Sequence, residues 1–473
     1  MKTRQVVTSV CVLALAGAAS GLAVALLPTE ERTLPVPVIE TGGPAQALCP
    51  GGFERTLGQG LDVGQVDEGV TASSWFLTAS DATEFLPWPS GDSPVDGPFE
   101  KRAVTAGAVV GALHSEQAST EAEQFAGANI YSARAGDTRG LAIGPCVSSA
   151  VDFWFVGSAS GVGISNQLLL FNPGQTSVGV QLTAYGSRGP LSLGTMSSVA
   201  VAADSMERVD LDGLIPSDSR IALHVSTESG AIAALMQSNE IDGAKPRGVS
   251  IMSGSSKGRE LLIPAITVPQ DTAATPSVRI VNTETLKAKV SVELIGPDGR
   301  LELPGGSDVA VAPGAVLDLS LAGVKAGDYA LRVTSEQVIA AGALLLTADS
   351  AAGARDVTWA SAREPLTSGA VAVGETTTSA IVTSLSDEQA SAQIIPVSKE
   401  GIELSPLPVD LAGPGTVTVE LPEGAVGFLF SSSQPVLAGA LSRIAVDGGD
   451  GIEWTPVFTP AVDDALGRIA ATN

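Results

Sequence analysis

Apolar and polar residues alternate in the same layout along three segments of the chain. In each segment a short apolar run leads into an alternating stretch and then into a glycine turn, and the three segments are 168–191, 278–301 and 380–404. One residue near the end of the apolar run precedes the turn glycine by 17 positions in every copy, and the pairs are Asn172 and Gly189, Asn282 and Gly299, and Ser384 and Gly401. Side chains that alternate with a period of two indicate half-buried β-strands. The pattern therefore predicts one β unit that occurs three times.

The remaining segments of each unit are also strand-like. Branched apolar and polar side chains alternate in 290–295 and 416–421, and Pro and Gly mark a corner at 312–314. About seven short strands for every ~100 residues, with a turn every 8–12, are typical of an antiparallel sandwich of immunoglobulin-like size. The alternative is a closed, propeller-like repeat, whose blades usually have ~40–50 residues. The copies here are 110 and 102 residues apart, which favours the sandwich.

These segments divide the chain into six parts. We expect an all-β protein with tandem immunoglobulin-like antiparallel β-sandwich units after one N-terminal transmembrane helix. Each unit is taken to open with an aromatic or apolar strand, at 152–159, 248–255 and 356–362. The predicted parts are a transmembrane helix or signal anchor at 1–27, a proline-rich stem at 28–47, an irregular β-rich region at 48–150, and sandwich units at 151–247, 248–355 and 356–473.

The N-terminal segment predicts where the protein is located. Lys2 and Arg4 precede an uncharged run of 22 residues from Val6 to Leu27. At about 1.5 Å per residue, a helix of that length crosses a ~30 Å hydrocarbon core. The basic flank stays in the cytoplasm, so we expect a single-pass cell-membrane protein whose bulk is extracytoplasmic. The alternative is a secreted protein, because the small residues 16–20 are also suited to signal-peptide cleavage.

The charge of the chain bears on its partners. The formal net charge is −25, and the part after residue 27 has 51 acidic and 24 basic side chains, since two of the 26 basic residues precede it. Such a surface repels phosphate backbones. We therefore expect no nucleic-acid partner, and we expect contact with the membrane only through the N-terminal helix.

The three cysteines predict one disulfide. Cys11 lies inside the apolar run, where it serves as a small apolar residue. Cys49 and Cys146 both lie in the exported part, and a pair of cysteines in an oxidising compartment indicates a disulfide. A bond that closes a loop of this length stabilises the fold by ~4–5 kcal/mol in the chain-entropy model.

No catalytic constellation stands out in the sequence. Neither His114 nor His224 is close in sequence to another metal-ligating side chain, so we expect no metal, and we expect no cofactor. Residues 254–258 match Gly-x-Ser-x-Gly, but 259–269 is strand-like, whereas a nucleophile elbow is followed by a helix. Nothing distinguishes a pair of carboxylates. We therefore predict that the protein is not an enzyme.

Two features leave a binding role open. Trp88 lies between two prolines in a predicted loop and is the best candidate for a ligand contact. The loops 446–451 and 90–97 carry acidic residues among glycines and could offer oxygen ligands to calcium. Because neither loop has the acid spacing of an EF-hand, plain turns are the favoured interpretation.

Several segments resemble a known family. They are CPGG at 49–52, Cys146 followed by DFWFVGSASG at 152–161, and LLLFNP at 168–173. Together these features resemble an uncharacterised actinobacterial family of extracytoplasmic proteins with one N-terminal membrane helix. The resemblance covers most of the chain and implies location and overall construction, but no site.

Two functions are compatible with these observations. The first is a non-enzymatic, membrane-anchored protein of the cell envelope that acts as a structural or interaction module and meets a cell-wall or envelope-protein partner. The second is a protein that binds or processes cell-wall glycans. The second predicts an exposed row of aromatic side chains or a carboxylate cleft, which we would expect in the region 48–150.

Overall fold

The computed structural model describes residues 45–54, 65–79, 83–87, 103–106, 110–115, 124–270 and 275–459. Within these ranges the chain forms β-strands and one short 3-10 helix, Gly194–Met196, so the predicted all-β class is confirmed. No helix in the described ranges has the length and apolar character needed to cross a bilayer. The predicted transmembrane segment 1–27, the predicted stem up to residue 44, and Trp88 lie outside the described residues.

Seven strands form an N-terminal unit. They are β1 (Ala45–Pro50), β2 (Thr71–Thr78), β3 (Thr83–Pro87), β4 (Ala103–Ala106), β5 (Val110–Ser115), β6 (Phe125–Ala133) and β7 (Gly140–Pro145). They pair in two sheets with the orders β1-β5-β3 and β4-β2-β6-β7. Apolar side chains from both sheets, Phe85 and Leu113 from one and Phe76 and Phe125 from the other, share one buried cluster.

Nine strands form the first repeat unit. They are β8 (Asp152–Val156), β9 (Ile164–Asn172), β10 (Val178–Gly186), β11 (Gly189–Leu191), β12 (Ser198–Val201), β13 (Ser205–Asp210), β14 (Ala222–Thr227), β15 (Ala233–Asp242) and β16 (Lys245–Ser253). One sheet has the order β11-β10-β14-β8, with β12 also paired to β10, and the other has the order β13-β9-β15-β16. Strand β10 alternates buried and exposed residues, as its sequence predicts.

The second repeat unit contains eight strands and the third contains seven. The second comprises β17 (Gly258–Val268), β18 (Ser277–Asn282), β19 (Ala288–Gly296), β20 (Gly299–Glu302), β21 (Val309–Val311), β22 (Val316–Ser320), β23 (Gly327–Leu346) and β24 (Val357–Ser361). The third comprises β25 (Leu366–Ala372), β26 (Thr377–Ser384), β27 (Ala390–Ser398), β28 (Leu407–Leu411), β29 (Gly415–Glu420), β30 (Ala425–Val446) and β31 (Gly449–Pro456).

One long strand joins the two layers of each of these last two units. The first part of β23 pairs with β17 and β19, and its last part pairs with β18 and β24. Strand β30 pairs with β25 and β27 and then with β26 and β31 in the same way. In the first repeat unit the same path is split into β14 and β15. The strand pairings of the three repeats are therefore equivalent.

The N-terminal unit shares this pairing scheme. Strand β5 pairs with β1 and β3 as β14 pairs with β8 and β10. Strand β2 pairs with β4 and β6 as β9 pairs with β13 and β15, and β7 pairs with β6 as β16 pairs with β15. The region expected to be irregular is thus a fourth copy of the unit with a much altered sequence.

The last strand of each unit contributes to a closed ring. Strands β7, β16, β24 and β31, hereafter the closing strands, contact one another in a cycle: β7 with β16, β16 with β24, β24 with β31, and β31 with β7. The segments 248–255 and 356–362, expected to open new units, instead pair back onto β15 and β23 of the preceding ones. The positions of the domain boundaries stay predictions.

Apolar side chains lock each closing strand onto a neighbouring unit. Trp359 of β24 lies in the core cluster of the first repeat unit, and Trp454 of β31 lies in that of the second. Leu141 and Ile143 of β7 lie in the core of the third, which closes the cycle. Residues 42–463 accordingly form one compact unit rather than separate bodies. The closing strands contact one another in a cycle, and the strands within each unit form two packed layers. The immunoglobulin-like and propeller-like interpretations of the units both stay predictions.

The predicted disulfide between Cys49 and Cys146 is confirmed. Cys49 lies in β1, and Cys146 directly follows β7, so the bond joins the two sheets of the N-terminal unit. Both sulfurs are buried in the cluster that contains Phe76 and Phe125. Because β7 is also a closing strand, the disulfide links one of the four closing strands to the first strand of its own unit.

Candidate functional site

The asparagines that define the sequence repeat hold loops. The Nδ2 group of Asn172 donates to the carbonyl oxygens of Thr176 at 2.8 Å, Val201 at 3.1 Å and Ala202 at 2.8 Å. Its Oδ1 accepts from the backbone amide of Gly174 at 3.0 Å.

Asn282 makes the equivalent set of bonds in the second repeat unit, to the carbonyl oxygens of Leu286, Val311 and Ala312 and from the amide of Glu284. Ser384, which takes this position in the third, reaches one carbonyl among the described residues, that of Ser386 at 3.5 Å. The strongest sequence signal is therefore structural and marks no ligand site.

The four closing strands meet around one buried carboxylate. Asp356, directly before β24, occupies the position that Gly140, Gly248 and Gly451 occupy in the other three strands. A Cβ atom at Gly140 would lie 2.6 Å from Oδ1 of Asp356, and one at Gly248 would lie 2.8 Å from it. Only glycine at these two positions leaves room for the carboxylate, so three small residues and one acid form the first layer along the axis of the ring.

The carboxylate of Asp356 binds the other three closing strands. Its Oδ2 accepts from the amides of Leu141 at 3.0 Å and Ile452 at 2.8 Å, and its Oδ1 accepts from the amide of Val249 at 3.0 Å. Asp356 is fully buried. Burial raises its pKa to about 7 against the opposing effect of these backbone hydrogen bonds.

A second acid lies two residues further along the strands. Glu453 of β31 is fully buried and accepts from the Ser250 hydroxyl at 3.1 Å, from the Ile251 amide at 3.1 Å and from the Thr358 hydroxyl. Burial raises its pKa well above the usual range, and the charge of Asp356 adds to the shift. Both acids connect strands inside the ring and are closed to solvent, an arrangement that favours a structural role.

The opposite ends of the closing strands surround an open cavity of about 760 Å³, hereafter the axial cavity. Its walls are formed by the residues that end or follow the four closing strands, 145–150, 253–256, 363–368 and 456–459. Side chains such as Phe153, Leu366, Val457 and Phe458, together with several prolines, make most of this wall apolar. A concave apolar site of this volume with a few polar groups is typical of ligand pockets.

Arg363 is the cationic side chain that lines the axial cavity. Its Nη2 donates to the Ser253 hydroxyl, whereas its buried Nε has no hydrogen-bond partner among the described residues. Burial lowers its pKa to about 10. No acidic side chain in the described part of the chain forms an ion pair with it. Ser148 also lines the cavity and has a buried hydroxyl that lacks a described partner.

The side of the cavity formed by the first repeat unit carries an acid that is already engaged. Asp152 Oδ2 lies 3.0 Å from His224 Nε2 and 3.2 Å from Lys257 Nζ, and the imidazole stacks on Trp154 with ring centroids 4.3 Å apart. Burial acts to raise the pKa of Asp152, but the hydrogen bonds and charges of His224 and Lys257 outweigh it and lower the pKa. Asp152 is therefore a paired carboxylate.

The other candidates from the sequence have separate outcomes. Residues 254–256 line the cavity, but β17 follows them as a strand, so the nucleophile-elbow geometry is absent there. Asp447 of the first calcium candidate is bound to Arg134 at 2.6 and 2.8 Å, and the loop 90–97 lies outside the described residues. Among the residues that the structure describes, no group of three or more His, Cys, Asp or Glu side chains is placed to hold a metal ion.

Sequence reasoning missed Asp356, Glu453 and Arg363. One signal for Asp356 was available, because GVSIM, DVTWA and GIEWT align with glycine or aspartate at the first position. Arg363 carries no local motif and is brought to the cavity only by closure of the ring.

Comparison with known proteins gives a family but no activity. A family described as "Family of unknown function (DUF5719)" matches residues 101–422. No curated protein matches the chain. Among solved structures, the crystal structure of Thermotoga maritima 1070 is 13% identical with a TM-score of 0.20, and covers 23% of this chain and 95% of its own. A biofilm associated protein, BSP domain, is 7% identical with a TM-score of 0.13, and covers 88% of this chain and 96% of its own.

Proposed function

The chain belongs to the family of unknown function DUF5719, and we propose that it is a non-enzymatic, membrane-anchored extracytoplasmic module of the cell envelope that binds a ligand in the axial cavity. The observation that carries this proposal is the cavity itself. It measures about 760 Å³, opens at one end of the ring, and combines apolar walls with an unpaired guanidinium. A buried polar group without a partner is unfavourable unless a ligand satisfies it.

The buried acids support binding rather than catalysis. A general acid or base must come within hydrogen-bond distance of a substrate atom. Both acids are enclosed. Asp356 already accepts hydrogen bonds from three other strands, and Glu453 already accepts them from two hydroxyls. Of the two acids that line the cavity, Asp152 is paired with His224 and Lys257, and Glu364 is exposed.

The disulfide supports the extracytoplasmic part of the proposal. Disulfides persist in oxidising compartments and are rare in the cytosol. The apolar segment 1–27 supplies the membrane anchor, or a cleaved signal peptide in the alternative. We also propose that each two-layered unit is immunoglobulin-like. The sequence resemblance further implies an actinobacterial origin.

The test is binding of the full chain to purified cell-envelope material. Thr367 lines the axial cavity and is half-buried, so Thr367→Trp places an indole in the cavity. Thr285 is exposed in the loop between β18 and β19, so Thr285→Trp is a matched control. We expect Thr367→Trp to reduce envelope binding at least ~10-fold and Thr285→Trp to leave it unchanged. Equal binding by Thr367→Trp and the wild type would contradict the proposal.

The same assay separates the second function. If cell-wall glycan is recognised by the region 48–150, Trp88→Ala should abolish binding and Thr367→Trp should not. That result would replace cavity binding with glycan recognition through Trp88.

A further inference from the structure

We propose that the axial cavity recognises a carboxylate attached to an apolar body, and that Arg363 binds this carboxylate. The inference rests on the proposed function, since it names the chemical class of the ligand for the same cavity. It is carried by the position of Arg363 in the cavity, by its unused donors and by the chemistry of the walls.

A comparison with another buried arginine shows what Arg363 lacks. Arg279 is paired with Asp318 through Nε at 2.8 Å and Nη2 at 3.0 Å, and its guanidinium lies over Trp359 at 4.6 Å. Its Nη1 donates to backbone carbonyl oxygens as well. Arg363 has one described side-chain bond, to the uncharged hydroxyl of Ser253, and its Nε is buried without a partner.

The unpaired charge favours an anionic ligand. A guanidinium removed from water without a counter-charge is unfavourable, and a carboxylate that accepts two parallel N–H bonds is the geometry that it matches best. Nε is closed to solvent, so a ligand carboxylate in the cavity would approach the terminal Nη groups of Arg363 and neutralise the charge there.

The rest of the cavity selects a monoanion with an apolar body. Twelve of the 25 lining residues are Pro, Ala, Val, Leu or Phe, which suit a hydrocarbon surface, and eight are Ser or Thr. One cation and two acids line it, Asp152 and Glu364 being the acids, so a doubly charged phosphate would be poorly compensated.

Two sources carry this chemistry: the carboxyl terminus of a short peptide of small apolar residues, and a short acyl carboxylate. The probes are therefore N-acetyl-trialanine with a free carboxylate, its C-terminal amide, hexanoate and hexanol. Titration calorimetry on the full chain measures each dissociation constant. We expect at least one acid to bind ~10-fold or more tightly than its neutral partner. Preference for the peptide acid or for hexanoate identifies the source.

Variants link the preference to Arg363. Arg363→Met should reduce the affinity for the acid to that for the neutral partner, and Arg363→Lys, which keeps the charge but not the fork, should retain part of it. Arg188 is exposed, and it does not line the cavity, so Arg188→Met is the matched control. Melting curves verify folding, and Arg363→Met should melt no lower than the wild type because an unpaired buried charge is removed.

The outcomes for the two proposals are distinct. Equal affinity of acid and neutral probes, with both lost in Thr367→Trp, overturns carboxylate recognition and leaves cavity binding in place. An acid preference that persists in Arg363→Met also overturns the inference. If Thr367→Trp leaves envelope binding unchanged, the proposed function itself is contradicted, whatever the probes show.

Discussion

The most informative residue in the ring is Asp356, because two opposing effects act on one carboxylate. Three amides from three other strands stabilise its ionised form, whereas full burial disfavours any charge. Burial dominates and sets the pKa at about 7. The group therefore takes up a proton on folding at mildly acidic pH, and the ring depends on pH through this residue.

The first prediction concerns stability against pH. The pKa of Asp356 is about 7 in the folded chain and close to 3.8 in the unfolded chain, so the folded state binds more protons between these values. The contribution of Asp356 to the free energy of unfolding should be highest below pH ~4. It should fall as the pH rises to 7, by up to about 4 kcal/mol. The raised pKa of Glu453 acts in the same direction.

Urea unfolding at pH 5 and pH 7.5 measures this slope. Asp356→Asn cannot titrate, so its stability should change less between the two pH values than that of the wild type. Glu423→Gln, at an exposed carboxylate between β29 and β30, is the control. An identical slope in Asp356→Asn and the wild type would show that Asp356 is not the titrating group.

A second prediction at this scale concerns the loop asparagines. Asn172→Ala and Asn282→Ala each remove four hydrogen bonds and leave buried carbonyl oxygens unsatisfied. Each change should lower the free energy of unfolding by about 2–4 kcal/mol. Ser384→Ala, at the same position in the third unit, removes one 3.5 Å bond and should have a much smaller effect in the same denaturation assay.

Among the elements, the alternating strands could be predicted and the closing strands could not. Strand β10 is buried on one face and exposed on the other, which gives its sequence a period of two. Every residue of β7 is buried, because one face packs on its own unit and the other on the third repeat unit. A strand covered on both faces has a continuous apolar sequence and no alternation. The sequence pattern therefore does not reveal that β7 is a closing strand of the ring.

Continuous burial and long-range assembly also hide the fourth copy of the unit and the site from the sequence pattern. Strand β6 is buried almost throughout, and β2 ends at Thr78 where the first two repeat units have an asparagine, so the sequence of this unit shows no repeat pattern. The disulfide was predictable because pairing the two cysteines that follow the N-terminal apolar segment needs no geometry. Arg363 and Asp356 are single charged residues, and their environments arise only when distant strands meet at the axis.

A third prediction concerns the disulfide as a link between elements. Cys49→Ala with Cys146→Ala removes the bond between β1 and the end of β7, which are 97 positions apart. The double variant should lose about 4 kcal/mol of unfolding free energy in urea. Reduction of the wild type with dithiothreitol should reproduce the loss, and addition of dithiothreitol to the variant should change nothing further. An unaffected midpoint would mean that the bond does not constrain the unfolded chain.

For the whole molecule, closure of the ring is what creates both the buried acids and the cavity. Trp454 belongs to the third unit but is buried in the core of the second, and its ring lies so close to Gly439 that a Cβ there would be 2.2 Å from it. Each unit thus completes the core of a neighbour. Ligand binding in the axial cavity should accordingly stabilise all four units together, since residues after every closing strand line it.

The most direct test of the ring is hydrogen exchange followed by mass spectrometry on Asp356→Asn. The amides of Leu141, Val249 and Ile452 lie more than 100 positions apart from one another in sequence, and all three donate to the carboxylate of Asp356. We predict faster exchange in peptides covering 140–145, 248–253 and 451–456, with β26 unchanged. A change confined to the strand that follows Asp356 itself would contradict the closed ring.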